Sequence, residues 1–567
     1  METQFEIFGL VLMFVVTLVI SIPLGRYIAK VFSDKHTFLD PILNPLEKLI
    51  YRFCKIDITK EMNWKQQLAA MLTLNFVWLI VALFILTNQA WLPLNPDGIP
   101  NMPFDLALNT SISFLANCNL QHYSGETGVS YFSQIFALMF LQFVSAATGI
   151  AAVIVLFNAL KNRTSAMLGN FYHFFIKSCT RILLPLSILV AIILLFEGTP
   201  MTFKGKTNNI SLQGDTIQIA TGPAAGFVAI KHIGTNGGGF FGANSAHPFE
   251  NPSYITNFVE MVAQMIIPFA LIFALGFFLK RKKLSWMIFG VMTFGFLLLV
   301  IPTIKTEING NPAIAKMGIN NEMGAMEGKE VRFGAPASAY WSIATTVIST
   351  GSVNSMHDSA MPISGLTQML AMMTNAFYGG VGVGILNYFI FIILAVFISG
   401  LMVGRTPEFL GKKIEAKEMK IAMIVAILHP LLILAGTAMS TYLVRIDESN
   451  NWLSNPGYHG FSQMLYEFTS ASANNGSGFE GLVDNNLFWN ISTAIVMLLG
   501  RFLPIIGPIA IAGSMASKKY IPEGAGTLKT DTVTFSIMVF VVIIIVAALS
   551  FFPALTLGPI AEFFTLK

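Results

Sequence analysis

Ile233-Gly-Thr-Asn-Gly-Gly-Gly-Phe-Phe-Gly-Ala-Asn244 is the stretch from which the fold is read. A short apolar segment runs into it, and it is loaded with glycine and with small neutral side chains that carry oxygen. Three other stretches echo it: Phe114-Leu-Ala-Asn-Cys-Asn-Leu-Gln-His-Tyr-Ser-Gly125, Ile348-Ser-Thr-Gly-Ser-Val-Asn-Ser-Met-His-Asp358 and Phe468-Thr-Ser-Ala-Ser-Ala-Asn-Asn-Gly-Ser-Gly-Phe479. With Cys118, Gly237, Ser352 and Gly476 as rough centres, successive turns stand 119, 115 and 124 residues apart, a loose internal period.

The rest of the 567-residue chain is apolar. Hydrophobic residues make up 54% and charged residues 11%, against roughly a quarter charged in a soluble protein, which identifies an integral membrane protein. A helix across the hydrocarbon needs about 20 apolar residues. Ten runs qualify, with cores at Ile7 to Gly25, Ala69 to Thr87, Phe132 to Leu156, Phe175 to Phe196, Val262 to Leu279, Leu284 to Pro302, Gly380 to Gly404, Ile421 to Leu443, Phe488 to Ser514 and Phe535 to Leu557. The fourth is the weakest, because Lys177 and Arg181 occupy its start. No small-residue cleavage pattern follows the first, so it reads as a retained helix. With Met1 outside, the connections after odd-numbered helices, together with their helix ends, hold 24 of the 34 Lys and Arg, as cytoplasmic loops should. Both termini are then extracytoplasmic.

Irregular backbone at membrane depth is tolerated only where protein buries it or water reaches it, so four polar turns belong around one axis. Carbonyls and side-chain oxygens from four loops can replace the water shell of a small cation. Glycine lets successive carbonyls point the same way, and neutral Thr, Ser and Asn oxygens favour a monovalent ion. The candidate ligands are Asn117, Cys118, Asn119; Thr235, Asn236, Gly237; Thr350, Gly351, Ser352; and Asn474, Asn475, Gly476. Arg501 lies inside the ninth run, where a charge costs at least ~2.5 kcal/mol, so it is a functional candidate. Between Asp358 and Arg405 lie 46 uncharged residues, more than twice the length one span needs, and the Gly379-Gly-Val-Gly-Val-Gly384 cluster is the natural break. Glu126, Glu250, Asp358 and Glu480 follow the turns, where they either concentrate cations at the entrance or serve as solvated surface charge. His122, His247 and His357 near the mouths lack ligand spacing and read as hydrogen-bonded structure. Cys54, Cys118 and Cys179 form no CxxC pair, and a net charge of +4 with scattered basic residues gives no nucleic-acid face. No Walker A or Asp-Lys-Thr-Gly sequence occurs, so this chain binds no nucleotide by itself.

Several motifs resemble the potassium-binding A-subunit family of the bacterial Kdp potassium-transporting ATPases. They are Asn117-Cys-Asn-Leu-Gln-His-Tyr-Ser-Gly-Glu126, Gly234-Thr-Asn-Gly-Gly-Gly-Phe-Phe241, Asn244-Ser-Ala-His-Pro-Phe-Glu-Asn-Pro252, Gly351-Ser-Val-Asn-Ser-Met-His-Asp358, Gly379 to Gly384, Gly404-Arg-Thr-Pro-Glu-Phe-Leu-Gly-Lys-Lys413 and Asn474-Asn-Gly-Ser477. The resemblance implies an all-α integral membrane protein of ten transmembrane helices, in which four fused repeats of helix, pore helix, filter loop and helix surround a central potassium-selective pore. The expected division is an extra helix in 1–28, pore repeats in 66–163, 171–283, 284–404 and 419–517, and an extra helix in 530–567. The resemblance further implies potassium as the transported ion and pore or gating positions at Gln121, Gly379, Gly380, Arg405 and Arg501. The implied partners are the P-type ATPase catalytic subunit, KdpB, and the small accessory subunits KdpC and KdpF, in the lipid of the bacterial inner membrane. Ions would be selected outside and passed sideways through an intramembrane tunnel. A stand-alone channel and a cation-coupled symporter are the other functions that a four-loop pore allows.

Overall fold

The computed structural model describes residues 2–162, 164–404, 406–447, 449–522 and 529–566, with side chains undescribed at 2–5 and 403. Ten helices among the described residues are long and apolar enough to span a membrane: Glu6–Val31, Trp64–Thr87, Tyr131–Lys161, Phe171–Phe196, Tyr254–Phe278, Lys282–Lys316, Val383–Met402, Ala416–Ile446, Leu487–Ala516 and Val533–Thr565. Four shorter helices lie between consecutive spans and run into the polar turns: Phe104–Leu115, Ala224–Ile233, Gly334–Val347 and Tyr458–Ala473. Nearly every residue of these four is buried, as helices inserted among other helices must be.

Burial separates the spans into two shells. The second, fourth, sixth and eighth have 28, 39, 44 and 17% of their core residues buried, whereas the third, fifth, seventh and ninth have 89, 94, 61 and 67%. The first helix of each pair therefore faces lipid, and the second lines the interior with its short helix. The first and tenth spans, at 22 and 33%, are peripheral. The first lies close along the fifth, and a Cβ at Gly25 would come within 2.5 Å of the Ala270 carbonyl. Small residues permit that approach where apolar burial gives helices no preference for each other over lipid.

Local chemistry sets several boundaries. Asn63 caps the second span by accepting from the Lys65 and Gln66 amides, and Gln66 reaches back to the Asn63 N–H. Arg181, at the start of the fourth span, is satisfied by a helix at Asp40–Phe53 that the hydropathy pattern does not reveal. Arg181 Nε and Nη2 donate to the two Glu47 oxygens at 2.7 and 2.8 Å, and Nη1 donates to Asp40. Hydrogen bonds from the Thr37 hydroxyl and amide, with the Arg181 guanidinium, hold the Asp40 carboxyl well below the usual range. Lys177 Nζ donates to the Val31 carbonyl at 3.1 Å and to Asp34. An exposed hairpin pairs Thr207–Ile210 with Thr216–Ile219 ahead of the second short helix.

The long uncharged stretch breaks at the glycine cluster. Helix Pro362–Thr374 ends at Asn375 (φ +41°), and Tyr378, Gly379 and Gly382 also take positive φ before helix Val383–Val403 begins.

Candidate functional site: four caps around one axis

All four short helices end in the same way. The residue beyond the helix is left-handed, at Asn117 (φ +60°), Thr235 (+51°), Ser349 (+52°) and Asn474 (+52°). Its N–H donates three residues back, to Phe114, His232, Thr346 and Ala471. The next N–H donates five residues back: Cys118 to Ser113, Asn236 to Lys231, Thr350 to Thr345 and Asn475 to Ser470. Together these bonds form a Schellman cap, whose left-handed position usually goes to glycine.

None of the four positions is glycine, and the left-handed conformation costs such residues on the order of 1–2 kcal/mol, most severely at β-branched Thr235. Their side chains supply what a glycine lacks. Asn117 Nδ2 donates to the Gly234 and Thr235 carbonyls at 3.1 and 2.8 Å, and Asn474 Nδ2 donates to the Met497 carbonyl at 3.0 Å. Thr235 Oγ1 accepts from the Val381 N–H at 3.0 Å. These side chains act as struts between elements, which differs from the expectation that the turn side chains add oxygens for the ion. Asn236 and Asn475 also face outward, with Nδ2 donating to the Gln142 and Thr345 carbonyls.

The caps set the register. Equivalent residues are Asn117, Cys118 and Asn119; Thr235, Asn236 and Gly237; Ser349, Thr350 and Gly351; and Asn474, Asn475 and Gly476. The third set starts one residue earlier than expected, bringing in Ser349 and placing Ser352 beyond the trio. The Ser352 carbonyl accepts from Trp341 Nε1 at 2.7 Å, and its hydroxyl donates to Asn244 at 3.2 Å. Runs of Ser, Thr and Gly align equally well in two registers, and only the backbone bonds decide between them.

The four strands of backbone meet at the last residue of each trio. Gly237 N–H donates to the Cys118 carbonyl at 3.1 Å. A Cβ at Gly351 (φ +87°) would lie 2.0 Å from the Asn475 carbonyl, and one at Gly476 (φ +101°) would lie 2.1 Å from that of Cys118. Glycine is required there by both dihedral and space. At the fourth corner Asn119 is buried, and its amide makes no hydrogen bond among the described residues. Gln121 bridges the first two turns outside this level: its Oε1 accepts from Gly239 N–H at 2.8 Å and its Nε2 donates to the Gly239 carbonyl at 3.2 Å.

Buried charge behind the turns was not foreseen. Lys231, inside the second short helix, donates to Glu250 at 2.6 Å and to Asn244 and Ser245 at 2.8 Å each. Asn244 Nδ2 in turn donates to the Gly237 carbonyl at 2.6 Å, so the ion pair fixes the second turn. Glu250 is wholly buried and therefore neither an entrance charge nor a solvated one. A lysine three residues ahead of Gly234-Thr-Asn-Gly was the available signal. Asp358 and Glu480 are also engaged: Glu480 Oε2 accepts from Asp358 N–H at 3.2 Å, and Asp358 Oδ1 accepts from Gln463 at 2.9 Å.

Beneath the caps runs the break in the seventh span. Gly379 N–H donates to the Val347 carbonyl at 3.1 Å, and Val381 N–H to Thr235 as above, which hangs the loop under the second and third caps. Gly380 stands between them, with its nearest neighbours at least 3.6 Å from a built Cβ. Arg501 is buried beside the loop, and Nη2 donates to the Ser145 carbonyl at 3.2 Å. Among the described residues no carboxylate comes within ion-pair distance of its guanidinium. Arg405 lies outside the described residues. To one side a cavity opens among the seventh to tenth spans, lined by Asn375, Asn387, His429, Ser472 and Gly500.

The family model described as KdpA, potassium-transporting ATPase A subunit, matches residues 11–564. This chain belongs to that family. It is 68% identical over 571 residues to the potassium-transporting ATPase potassium-binding subunit of Flavobacterium psychrophilum, covering 99% of this chain and 100% of the relative. It is 47% identical over 556 residues to the subunit of the same description from Geobacillus kaustophilus, covering 98% of each. Among solved structures, the crystal structure of the potassium transporter TrkH from Vibrio parahaemolyticus superposes with TM-score 0.49 and 16% identity, over 76% of this chain and 84% of that one.

Proposed function

We propose that this chain is the potassium-binding, channel-like subunit of an ATP-driven potassium import complex. Potassium enters from the extracytoplasmic side through the four capped turns, leaves sideways within the membrane, and reaches a partner P-type ATPase subunit, KdpB, with KdpC and KdpF as small accessory subunits. Both termini are extracytoplasmic. The pore repeats are 66–163, 171–283, 284–404 and 419–517, flanked by the extra helices in 1–28 and 530–567.

The observation that carries this reading is the meeting of four identically capped turns at Gly237, Gly351, Gly476 and Asn119. In three of the turns left-handed residues alternate, at Asn117 and Asn119, Ser349 and Gly351, and Asn474 and Gly476, a backbone geometry that lets carbonyls turn toward one axis, and uncharged oxygens there suit a monovalent cation. A second feature favours a pump subunit over a downhill channel. The break loop hangs under the caps and Arg501 adds a fixed positive charge beside it. A cation about 4 Å from a guanidinium at an effective dielectric of 20 meets about 4 kcal/mol of repulsion. The lateral cavity beside Asn375 and Asn387 supports a sideways route.

The test is potassium uptake at micromolar external potassium in a transport-deficient bacterium that expresses the chain alone, then with its ATPase and accessory subunits. Uptake that needs the full set and ceases on ATP depletion is expected. Equal uptake by the chain alone would replace the pump-subunit reading with a channel or symporter.

A further inference from the structure

We infer that His122, Glu467 and Asp484 form a binding site for one divalent transition-metal ion of the zinc class, separate from the potassium path. His122 follows the first turn, Glu467 lies in the fourth short helix, and Asp484 lies in the loop ahead of the ninth span, so the ion would join the first and fourth turns of the ring. One ligand atom from each residue lies within 4.8 Å of the other two. His122 Nε2 and Glu467 Oε1 are 3.3 Å apart, close to the ~3.4 Å edge of a tetrahedron built on bonds of about 2.0–2.1 Å.

The tautomer is prepared for this role. Asn490 Nδ2 donates to Asp105 at 2.9 Å, which turns Asn490 Oδ1 toward His122 Nδ1 at 2.7 Å. Nδ1 therefore carries a proton and donates, leaving the Nε2 lone pair to face the two carboxylates. An outer hydrogen bond of this kind orients most metal-bound imidazoles. The carboxylates supply a second, independent argument. Glu467 is 1% exposed, yet among the described residues its carboxylate receives no hydrogen bond beyond the His122 contact. Even with His122 protonated against Glu467, the two carboxylates carry one more negative charge than the imidazole balances, one of them on fully buried Glu467 and the other on half-buried Asp484, and a divalent cation neutralises it. An imidazole ligand selects against potassium, magnesium and calcium, which prefer oxygen, and favours zinc, nickel or cobalt. Asp484 is half-buried and supplies the route in from the face on which the turns open.

The experiment is a titration of the chelator-stripped full complex in lipid nanodiscs with Co2+, followed by displacement with Zn2+. The expected result is one equivalent of Co2+ with visible ligand-field absorption, displaced by Zn2+, and a rise in apparent unfolding temperature on Zn2+ addition. Asp484→Asn and His122→Ala should each weaken binding at least tenfold, and Asn490→Ala about tenfold through the lost orienting bond. Asp484→Asn makes the test secure, since its carboxylate accepts no side-chain hydrogen bond whose loss would unfold the protein. Absorption and stoichiometry equal in the wild-type complex and in Asp484→Asn would overturn the site and leave the cluster as a proton-bridged ion pair.

Discussion

Val381 N–H, in the break of the seventh span, donates to Thr235 Oγ1, in the left-handed cap of the second short helix, at 3.0 Å. Both residues are fully buried, and the bond is a direct physical link between the turn ring and the loop below it. It also accounts for a β-branched residue at φ +51°, because glycine there would relieve strain and lose the acceptor.

Thr235→Val removes the acceptor at nearly constant volume and leaves the Val381 N–H buried without a partner, a cost of about 1–3 kcal/mol. Potassium affinity of the full complex should fall roughly tenfold, which a drop of about 1.4 kcal/mol corresponds to. Thr235→Ser keeps the oxygen and should retain affinity. Equal affinities in both variants would separate the loop from ion binding.

Gly149 and Gly382 touch across the same break. A Cβ at Gly382 would stand 2.0 Å from the Gly149 carbonyl, and one at Gly149 would stand 2.2 Å from that of Val381. Gly149→Ala therefore moves the loop rather than the caps. Transport should be lost while the assembled complex stays intact by size-exclusion chromatography.

Arg501 tests the barrier itself. Arg501→Met preserves much of the side-chain volume and removes the charge. Ions transported per ATP hydrolysed by the reconstituted complex should fall as cations leak past the loop. Unchanged coupling together with wild-type potassium affinity would restrict Arg501 to a structural role.

Membrane spans and polar turns were legible because each is a local signal: about 20 apolar residues, or glycine beside Asn and Thr. The break was legible by length alone, since 46 uncharged residues exceed one crossing. What was hidden depends on partners distant in sequence. Glu250 reads as a surface acid until Lys231 is seen beside it, and His122 meets Glu467 only across 345 residues. Helix Asp40–Phe53 was missed because its charges mask an apolar stripe of exposed Ile42, Leu46, Leu49 and Phe53. The one-residue shift at Ser349 needed the backbone hydrogen bonds of the cap.

That surface helix also carries a stability prediction. Arg181 is the partner that neutralises buried Glu47, and Arg181→Leu leaves the carboxylate with only the Thr180 hydroxyl at 2.7 Å. Breaking a buried pair from one side costs about 3–5 kcal/mol, whereas replacing both members is often neutral. The apparent unfolding temperature should drop sharply in Arg181→Leu and recover in Arg181→Leu with Glu47→Leu. A double variant no better than the single one would contradict this account.

His459, at the outer start of the fourth short helix, places a pH dependence at the periphery. Its Nε2 lies 3.0 Å from Asp358 and its Nδ1 lies 2.9 Å from Glu562, which ties the third turn's exit to the C-terminal helix. Burial opposes a charged ring, but the two carboxylates outweigh it and hold the pKa up at about 9. The folded value is raised above the unfolded value of about 6.5, so the stabilisation is complete below pH 6.5 and is lost as pH climbs through about 9. Its size is roughly 3 kcal/mol at full strength. Other groups that titrate over this range are common to the wild type and a His459 variant. The comparison that isolates the histidine is therefore wild type against His459→Gln, with apparent unfolding temperature followed from pH 6 to 9.5. Wild type should lose stability steeply over this range and the variant should lose less; parallel curves would show that the imidazole carries no net charge in the fold.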